Sequence, residues 1–269
     1  MSTSLHERRR RSFDAVADRY LAHRPPYPEA ALDLLAARVP PPADVLEVGP
    51  GPGLATLPLA ERGYRIVAIE LGPRLAAEAR HNLAAFDSVR IVTGDFETWQ
   101  PQPLHRFDLL LAASSWHWID PAIGYERAWQ ALCQGGWLAL MANHPRPGRN
   151  GTRARRFWDA TDALYRRHAP ELVERRGWNP SRLPDQRSAI RRSGRFGAAE
   201  RHVIAWRRDF PPDDYIALLD TYSDHRLLRA RARRQLFAAI HRLAMTEFNG
   251  VVPRYYRTVV NMARAKPDR

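Results

Sequence analysis

The sequence of 269 residues has one cysteine and no long apolar run. A lone cysteine, Cys133, cannot form a disulfide within the chain, which fits a reducing compartment. No apolar run approaches the roughly 20 residues that a membrane-spanning helix needs. The first residues include the basic run Arg8 to Arg11 but no apolar segment typical of a secretory signal. We therefore expect a cytoplasmic protein without a membrane span.

Lysine is equally scarce, because Lys266 is the only one and arginine supplies nearly all of the positive charge. The formal net charge of +13 would suit an acidic partner such as nucleic acid, an anionic lipid or a phosphorylated small molecule. The arginines are scattered rather than gathered in one stripe, and Ala and Pro are abundant, which is typical of a GC-rich coding sequence. We favour this compositional explanation and do not expect nucleic acid as the partner.

The sequence also lacks the residue spacings that are typical of metal ligands. The ten histidines are dispersed, and neither a His-x-Glu pair nor paired cysteines occur. A lone cysteine cannot make a zinc cluster. We therefore predict no metal site.

The first half of the sequence alternates strand-like and helix-like segments, a pattern typical of a parallel sheet covered on both faces. The fourth strand-like segment is continuously apolar, which indicates burial on both faces. Strands are predicted at Val45–Val48, Arg65–Glu70, Val89–Thr93, Phe107–Ala112 and Trp137–Ala142, the last after a Gly135–Gly136 turn. Helices are predicted at 12–22, 28–38, 56–62, 73–85 and 123–132.

The pattern changes after the fifth strand, where residues 145–151 are rich in Pro, Gly and Arg and are predicted to form a loop. An Arg-rich amphipathic helix is predicted at 152–176, whereas residues 177–198 contain turn signals and little periodicity. The remaining segments predict helices at 212–222 and 229–247 and strands at His202–Phe210 and Tyr255–Ala263.

These segments predict an α/β fold with a Rossmann-like, seven-stranded, mostly parallel sheet and helices on both faces. An N-terminal helical lid and a helical insertion after the fifth strand complete it. We interpret residues 1–269 as a single domain. It would comprise a lid, a cofactor-binding core, an insertion and closing strands and helices, at 1–40, 41–145, 146–200 and 201–269.

Three glycines, Gly49, Gly51 and Gly53, alternate directly after the first predicted strand. Glycine permits positive φ and has no Cβ to obstruct a ligand. The helix that follows presents free backbone N–H groups. Such a turn can approach a nucleotide cofactor closely. Glu70 ends the next strand, where a carboxylate can accept hydrogen bonds from both ribose hydroxyls.

A dinucleotide site is the natural competitor, but its Gly-x-Gly-x-x-Gly spacing would place glycine at Leu54 or Thr56. Glu47 would also be awkward beside a pyrophosphate, whereas a cationic sulfonium ligand with an amino group tolerates an acid. The segment from Glu47 to Gly53 resembles motif I of the class I SAM-dependent methyltransferases. The resemblance implies S-adenosyl-L-methionine (SAM) as the cofactor.

Further positions between residues 12 and 145 agree with that family. The resemblance implies that Asp95 bonds the adenine amino group and that the backbone N–H of Phe96 meets the ring. It also implies that Ser114 lies at the methionine end of the cofactor and that Leu71 contacts it. Two residues resemble the aromatic and the arginine of a lid that closes over the cofactor carboxylate, namely Tyr20 and Arg24.

The acceptor residues are sought where the fourth and fifth strands end, because open α/β sheets bind ligands at the carboxyl ends of their strands. His117 is the leading candidate for a general base, with Trp116 and Trp118 as walls of an apolar pocket. The alternative is that the tryptophans pack under the lid and His117 bonds a backbone carbonyl. His144, just past the fifth strand, either orients an acceptor with Asn143 or caps a loop.

A polar cluster of Tyr222, Asp224 and His225 lies between two predicted helices near the end of the sequence. It either reaches the acceptor pocket or supplies a helix N-cap through Ser223 or Asp224. The cluster adds candidates, but it carries no motif that would identify the acceptor.

We therefore expect a methyltransferase that transfers the SAM methyl group to an O, N or C atom of a small molecule, acidic or aromatic. Two alternatives stay open. One is a SAM-binding protein of the same fold that catalyses another reaction, such as a cyclisation. The other is a nucleic-acid methyltransferase, although the Asn/Asp-Pro-Pro-Tyr/Phe motif is missing after the fourth strand. The sequence predicts no oligomeric state.

Overall fold

A computed structural model describes residues 23–100, 106–176 and 183–267. Its strands are β1 (Asp44–Val48), β2 (Arg65–Glu70), β3 (Val89–Thr93), β4 (Phe107–Ala113), β5 (Leu132–Arg146), β6 (Glu200–Phe210) and β7 (Val252–Arg264). Its helices are α1 (Glu29–Arg38), α2 (Thr56–Glu61), α3 (Pro73–Asn82), α4 (Pro121–Ala131), α5 (Arg153–His168), α6 (Pro170–Arg176), α7 (Arg187–Arg192), α8 (Pro212–Asp220), α9 (Ser223–Arg226) and α10 (Ala230–Glu247).

The seven strands form one sheet in the order β3-β2-β1-β4-β5-β7-β6. The pairs β3–β2, β2–β1, β1–β4 and β4–β5 are parallel. The predicted Rossmann-like, mostly parallel sheet is therefore confirmed. Because β1, β2 and β4 run in the same direction, the segments that follow them leave the sheet at one edge.

Helices cover both faces of the central strands. Successive side chains of a strand point to opposite faces, and Val45 and Leu46 of β1 accordingly belong to different buried clusters. One cluster contains Leu32 and Leu35 of α1, and the other contains Tyr125 of α4. This explains why the central strands are continuously apolar in sequence.

The chain divides into two compact units. The described residues within 26–143, 184–204 and 258–267 form the sheet unit, which contains both of these clusters. The described residues within 23–25, 144–183 and 205–257 form the helical unit, which has a separate core built from α5, α6, α8, α10 and parts of β6 and β7. The predicted division into lid, core, insertion and closing segments stays a prediction.

The Gly135–Gly136 turn before the fifth strand is corrected, because both residues lie inside β5. Phe107 pairs with Leu132 and Leu109 with Trp137, so β5 bulges between these positions. Gly135 has a φ of 75°. A Cβ at Gly136 would lie 3.0 Å from the carbonyl oxygen of Phe107, so the close approach of the two backbones requires glycine.

The predicted helix over 152–176 is two helices, α5 and α6, which meet at Ala169. Ala169 has φ −149° and ψ 56°, because the ring of Pro170 disfavours helical geometry in the preceding residue. The helix predicted at 212–222 ends at Asp220, and a separate helix, α9, begins at Ser223.

The segment 177–198, in which turn signals occur and periodicity is weak, contains α7. Ile190 of this short helix is fully buried in the sheet unit, so tertiary packing stabilises a helix whose sequence shows little periodicity. β7 begins at Val252 and is longer than predicted. The helix predicted at 12–22 lies outside the described residues.

Candidate functional site

The turn after β1 has the backbone conformation that its glycines predict. Gly49, Gly51 and Gly53 have φ values of 67°, 58° and 103°, all in the region that glycine adopts without steric cost. The backbone N–H of Gly49 donates to the carbonyl oxygen of Ile69 at 2.9 Å. The turn is thus tied to β2 at the edge where the parallel strands end.

Glu70, the last residue of β2, is bound by the two loops beside it. Its Oε2 accepts a 3.0 Å hydrogen bond from the backbone N–H of Gly51, and its Oε1 accepts a 2.8 Å bond from the N–H of Gly72. Leu71, which lies between them, is half-buried. A carboxylate oxygen has two lone pairs and can accept more than one hydrogen bond, so a carboxylate that holds the loops is also suited to hydroxyl donors.

Glu47 is completely buried beside this turn. Its Oε2 accepts from the hydroxyl of Thr56 at 2.7 Å, while its Oε1 has no hydrogen-bond partner among the described residues. Burial raises the pKa of Glu47 from 4.5 to about 7, the Thr56 bond opposes this rise, and the nearby charge of Glu70 adds to it. A buried acceptor without a partner favours a ligand that brings a donor or a positive charge.

The residues that follow β4 pack directly against the glycine turn. The hydroxyl of Ser115 donates to the carbonyl oxygen of Val48. A Cβ at Gly49 would lie only 2.7 Å from the Cβ of Ser115. Ser115 was not predicted, and its only sequence signal is its place directly after Ser114.

Ser114 has a φ of 62°, which is uncommon for a residue with a Cβ. Its backbone N–H donates to the carbonyl oxygen of Met141 at 2.7 Å, and its hydroxyl bonds the Tyr27 hydroxyl at 2.9 Å. Such backbone strain is concentrated at functional sites. Ser114 is therefore a strong candidate on conformational grounds as well as by resemblance.

Asp95 and Phe96 follow β3 in a hydrogen-bonded turn. The Oδ1 of Asp95 accepts from the backbone N–H of Glu97 at 3.0 Å, and its carbonyl oxygen accepts from that of Trp99 at 2.8 Å. The ring of Phe96 is buried, 6.3 Å from that of Trp116. Since the side chain of Phe96 is in the core, only its backbone suits the predicted contact with adenine.

Trp116, His117 and Trp118 form a 3-10 helix after β4. Trp116 is buried, and its ring lies 5.2 Å from that of Tyr125. Packing of the tryptophans under the lid stays a prediction, because the lid helix lies outside the described residues. His117 is exposed, with its ring 4.6 Å from that of Trp118. Its role as a base stays a prediction.

Asn143 is held within the sheet unit by two hydrogen bonds. Its Nδ2 donates to the carbonyl oxygen of Pro26 at 3.1 Å, and its Oδ1 accepts from the hydroxyl of Thr258 at 2.6 Å. This amide therefore connects three segments that are distant in sequence.

The other candidates belong to the helical unit or lie outside the described residues, as Tyr20 does. His144 is half-buried inside β5 rather than past its end, because the strand continues to Arg146. A guanidinium nitrogen of Arg24 donates to the carbonyl oxygen of Thr221 at 3.0 Å. The guanidinium carbon lies 4.4 Å from the ring centroid of Tyr222.

Two residues of the polar cluster near the end of the sequence, Asp224 and His225, are hydrogen-bonded to each other. His225 is completely buried, with Nε2 2.7 Å from the hydroxyl of Tyr165 and Nδ1 2.9 Å from Oδ1 of Asp224. The N-cap expected at Ser223 or Asp224 is wrong. The N-cap residue of α9 is Tyr222, and Asp224 accepts instead from the backbone N–H of His225.

Across the three described ranges, no group of three or more His, Cys, Asp or Glu side chains is placed to hold a metal ion. No helix in those ranges is long and apolar enough to cross a membrane.

Comparisons with known proteins point to one enzyme class. A family described as "Methyltransferase domain" matches residues 46–140. An uncharacterized methyltransferase from Mycobacterium tuberculosis is 28% identical over 266 residues, covering 94% of this chain and 96% of the relative. The solved structure of a proposed type II methyltransferase from Anaeromyxobacter dehalogenans is similar, with a TM-score of 0.64 and 23% sequence identity. The match covers 91% of this chain and 99% of that protein. The solved structure of a SAM-dependent methyltransferase from Thiobacillus denitrificans in complex with S-adenosyl-L-homocysteine (SAH) is also similar. It has a TM-score of 0.51 and 18% sequence identity, and the match covers 94% of this chain and 98% of that protein.

Proposed function

Because this chain is a class I SAM-dependent methyltransferase, we propose that it transfers the SAM methyl group to an O, N or C atom of a small-molecule acceptor. The observation that carries the proposal is the joint placement of the glycine turn, Glu47 and Glu70 at the ends of β1 and β2. The names of the three relatives described above do not identify the acceptor.

The residues at this edge of the sheet fit SAM. The ligand has ribose hydroxyls and an amino group as donors, and a positively charged sulfonium. Glu70 offers acceptor sites for hydroxyls, and Oε1 of Glu47 is buried without a partner among the described residues. Three positive-φ glycines keep the approach to the turn free of side chains.

When bound, SAM supplies an electrophilic methyl group. The residues of this chain then have to position the ligand, align an acceptor in line with the methyl group and exclude water. We assign Glu70 to the ribose, Asp95 to the adenine amino group and Ser114 to the methionine end. Glu47 supports the turn through Thr56 and favours a positive charge nearby.

His117 is the proposed general base. It lies in the 3-10 helix directly after β4, the position from which a side chain can face the methionine end of a cofactor. A base contributes only if the acceptor atom must lose a proton before or during transfer. Trp118, whose ring contacts that of His117, would restrict the motion of the imidazole.

Two measurements test this function. Calorimetric titration of the pure protein with SAH should show saturable binding, and absence of binding would overturn the proposal. Incubation with methyl-labelled SAM and a panel of small acids, phenols and amines should then give a methylated product and SAH. SAM consumption without label in the acceptor would instead support a non-methylating reaction of the same fold.

A further inference from the structure

Arg254 is a buried cation in the helical unit that the proposed methyl transfer does not use. It lies on β7, and only 8% of the residue is exposed. Its guanidinium carbon lies 4.7 Å from the ring centroid of Trp158 and 5.5 Å from that of Tyr215. The two rings therefore flank a charge that is almost completely removed from water.

Arg254 has no carboxylate partner in the part of the chain that the structure describes, and its Nε donates to no acceptor there. More exposed arginines do have such partners. Arg38 donates to Glu200 at 2.8 Å, and Arg155 donates to Asp159 at 2.9 Å. A buried charge without a counter-ion is costly, since its lost hydration is not replaced by a hydrogen-bonded ion pair.

Phenol side chains surround Arg254 but do not neutralise it. Burial raises the pKa of Tyr256 and that of Tyr222, so both hydroxyls stay protonated at neutral pH. Asp224, a carboxylate of the same unit, already binds the imidazole of His225. Among the described residues, hydroxyl groups and aromatic faces thus surround the guanidinium, and no ion pair with a carboxylate forms there.

We propose that Arg254 binds the oxyanion group, a carboxylate or a phosphate, of a small organic ligand whose body packs against the rings of Trp158 and Tyr215. A guanidinium presents parallel N–H donors that match two oxygens of such a group. The aromatic faces favour an apolar or aromatic ligand body. The site consists of residues of the helical unit alone, and its existence does not depend on methyl transfer.

Calorimetric titration of the full chain without cofactor tests the site. The probes are benzoate, phenyl phosphate and the neutral analogue benzamide. We expect at least one anion to bind and benzamide to bind about tenfold more weakly or not at all. A preference for benzoate identifies a carboxylate ligand, and a preference for phenyl phosphate identifies a phosphate ester. Failure of both anions to bind up to about 10 mM overturns the proposal.

Variants separate ligand binding from packing. Arg254→Gln should weaken binding of the anion about tenfold or more, and Arg254→Lys should retain part of it because the charge remains. The matched control is Arg208→Gln, since Arg208 lies in the same unit with its guanidinium 4.8 Å from the ring of Phe210. It should bind the anion like the unaltered protein. Equal binding by Arg254→Gln, with its fold intact by circular dichroism, overturns the site.

If Arg254→Gln fails to fold, the lysine variant and the comparison of anions with benzamide still decide the question. A titration with SAH on the same sample separates the two proposals. Loss of SAH binding with retained anion binding contradicts only the methyl-transfer assignment, and the reverse result contradicts only the anion site.

Discussion

The backbone N–H of Gly51 donates a 3.0 Å hydrogen bond to Oε2 of Glu70, which joins the turn after β1 to the end of β2. The other oxygen of the same carboxylate accepts from Gly72, at the start of α3. A single buried side chain therefore orders both loops at the proposed cofactor site. Its removal should affect the shape of the site as well as its direct contacts.

Glu70→Gln should weaken SAH binding about tenfold or more. The amide nitrogen would face one of the two backbone donors, and a buried donor left unpaired costs about 1–3 kcal/mol. Calorimetric titration measures the affinity. The matched control, Glu61→Gln, alters an exposed residue at the end of α2 and should leave the SAH affinity unchanged. An unaltered affinity in Glu70→Gln would contradict the role of this carboxylate.

Gly49→Ala should destabilise the fold and abolish SAH binding. A residue with a Cβ at positive φ costs about 1–2 kcal/mol, and here the Cβ would also lie 2.7 Å from that of Ser115. Gly63→Ala is the control, because Gly63 has a φ of 88° but no atom within 4 Å of the added Cβ. Urea unfolding should show the larger loss for Gly49→Ala.

Replacing the clashing partner tests the cause. The double variant Gly49→Ala with Ser115→Gly should lose less stability than the sum of the two single variants. The steric contact is removed, while the backbone cost at position 49 and the loss of the Ser115–Val48 hydrogen bond stay. Similar losses in the Gly49 and Gly63 variants would show that the contact with Ser115 is unimportant.

Stability should fall as pH rises from about 5 to 7, and Glu47 should be a cause. Because its pKa is 4.5 ordinarily and about 7 in the folded protein, the folded state binds more protons than the unfolded state between these values. The pKa shift corresponds to a contribution on the order of 3 kcal/mol to the free energy of unfolding, and this contribution is fully lost above pH 7. Glu47→Gln should therefore gain stability over the unaltered protein at pH 8 but not at pH 4.

Urea unfolding of both proteins at the two pH values measures this difference. The exposed Glu61→Gln variant is the control and should follow the pH dependence of the unaltered protein. A gain in Glu47→Gln that does not depend on pH would show that burial of this carboxyl does not control its protonation.

His117→Gln should lower kcat by about a hundredfold or more for an acceptor that must lose a proton, the usual contribution of a general base. SAH affinity should stay the same, because His117 is assigned to the acceptor. His81→Gln, at an exposed histidine of α3, is the control and should leave kcat unaltered. Equal kcat values for the His117 and His81 variants would favour a structural role for His117.

Periodicity and glycine placement sufficed to predict the parallel sheet and the turn after β1. Continuous apolar strands indicate burial on both faces, and the clusters on either side of β1 confirm it. Local effects beyond periodicity were missed at Ala169, where Pro170 divides a helix, and at Gly136, where β4 and β5 approach closely. Helix α7 was missed because burial of Ile190, rather than its own pattern, stabilises it.

The sequence by itself determined the Rossmann-like sheet, the positive-φ turn and the acids near it, because strand period, glycine and short-range order are local properties. Only the tertiary structure decided that Glu70 binds Gly51, that Ser115 packs on Gly49 and that Arg254 is buried between Trp158 and Tyr215. These relationships depend on strand register and on contacts between segments distant in sequence. Burial then sets their energies, since the pKa of Glu47 and the cost of burying the Arg254 charge follow from the loss of water.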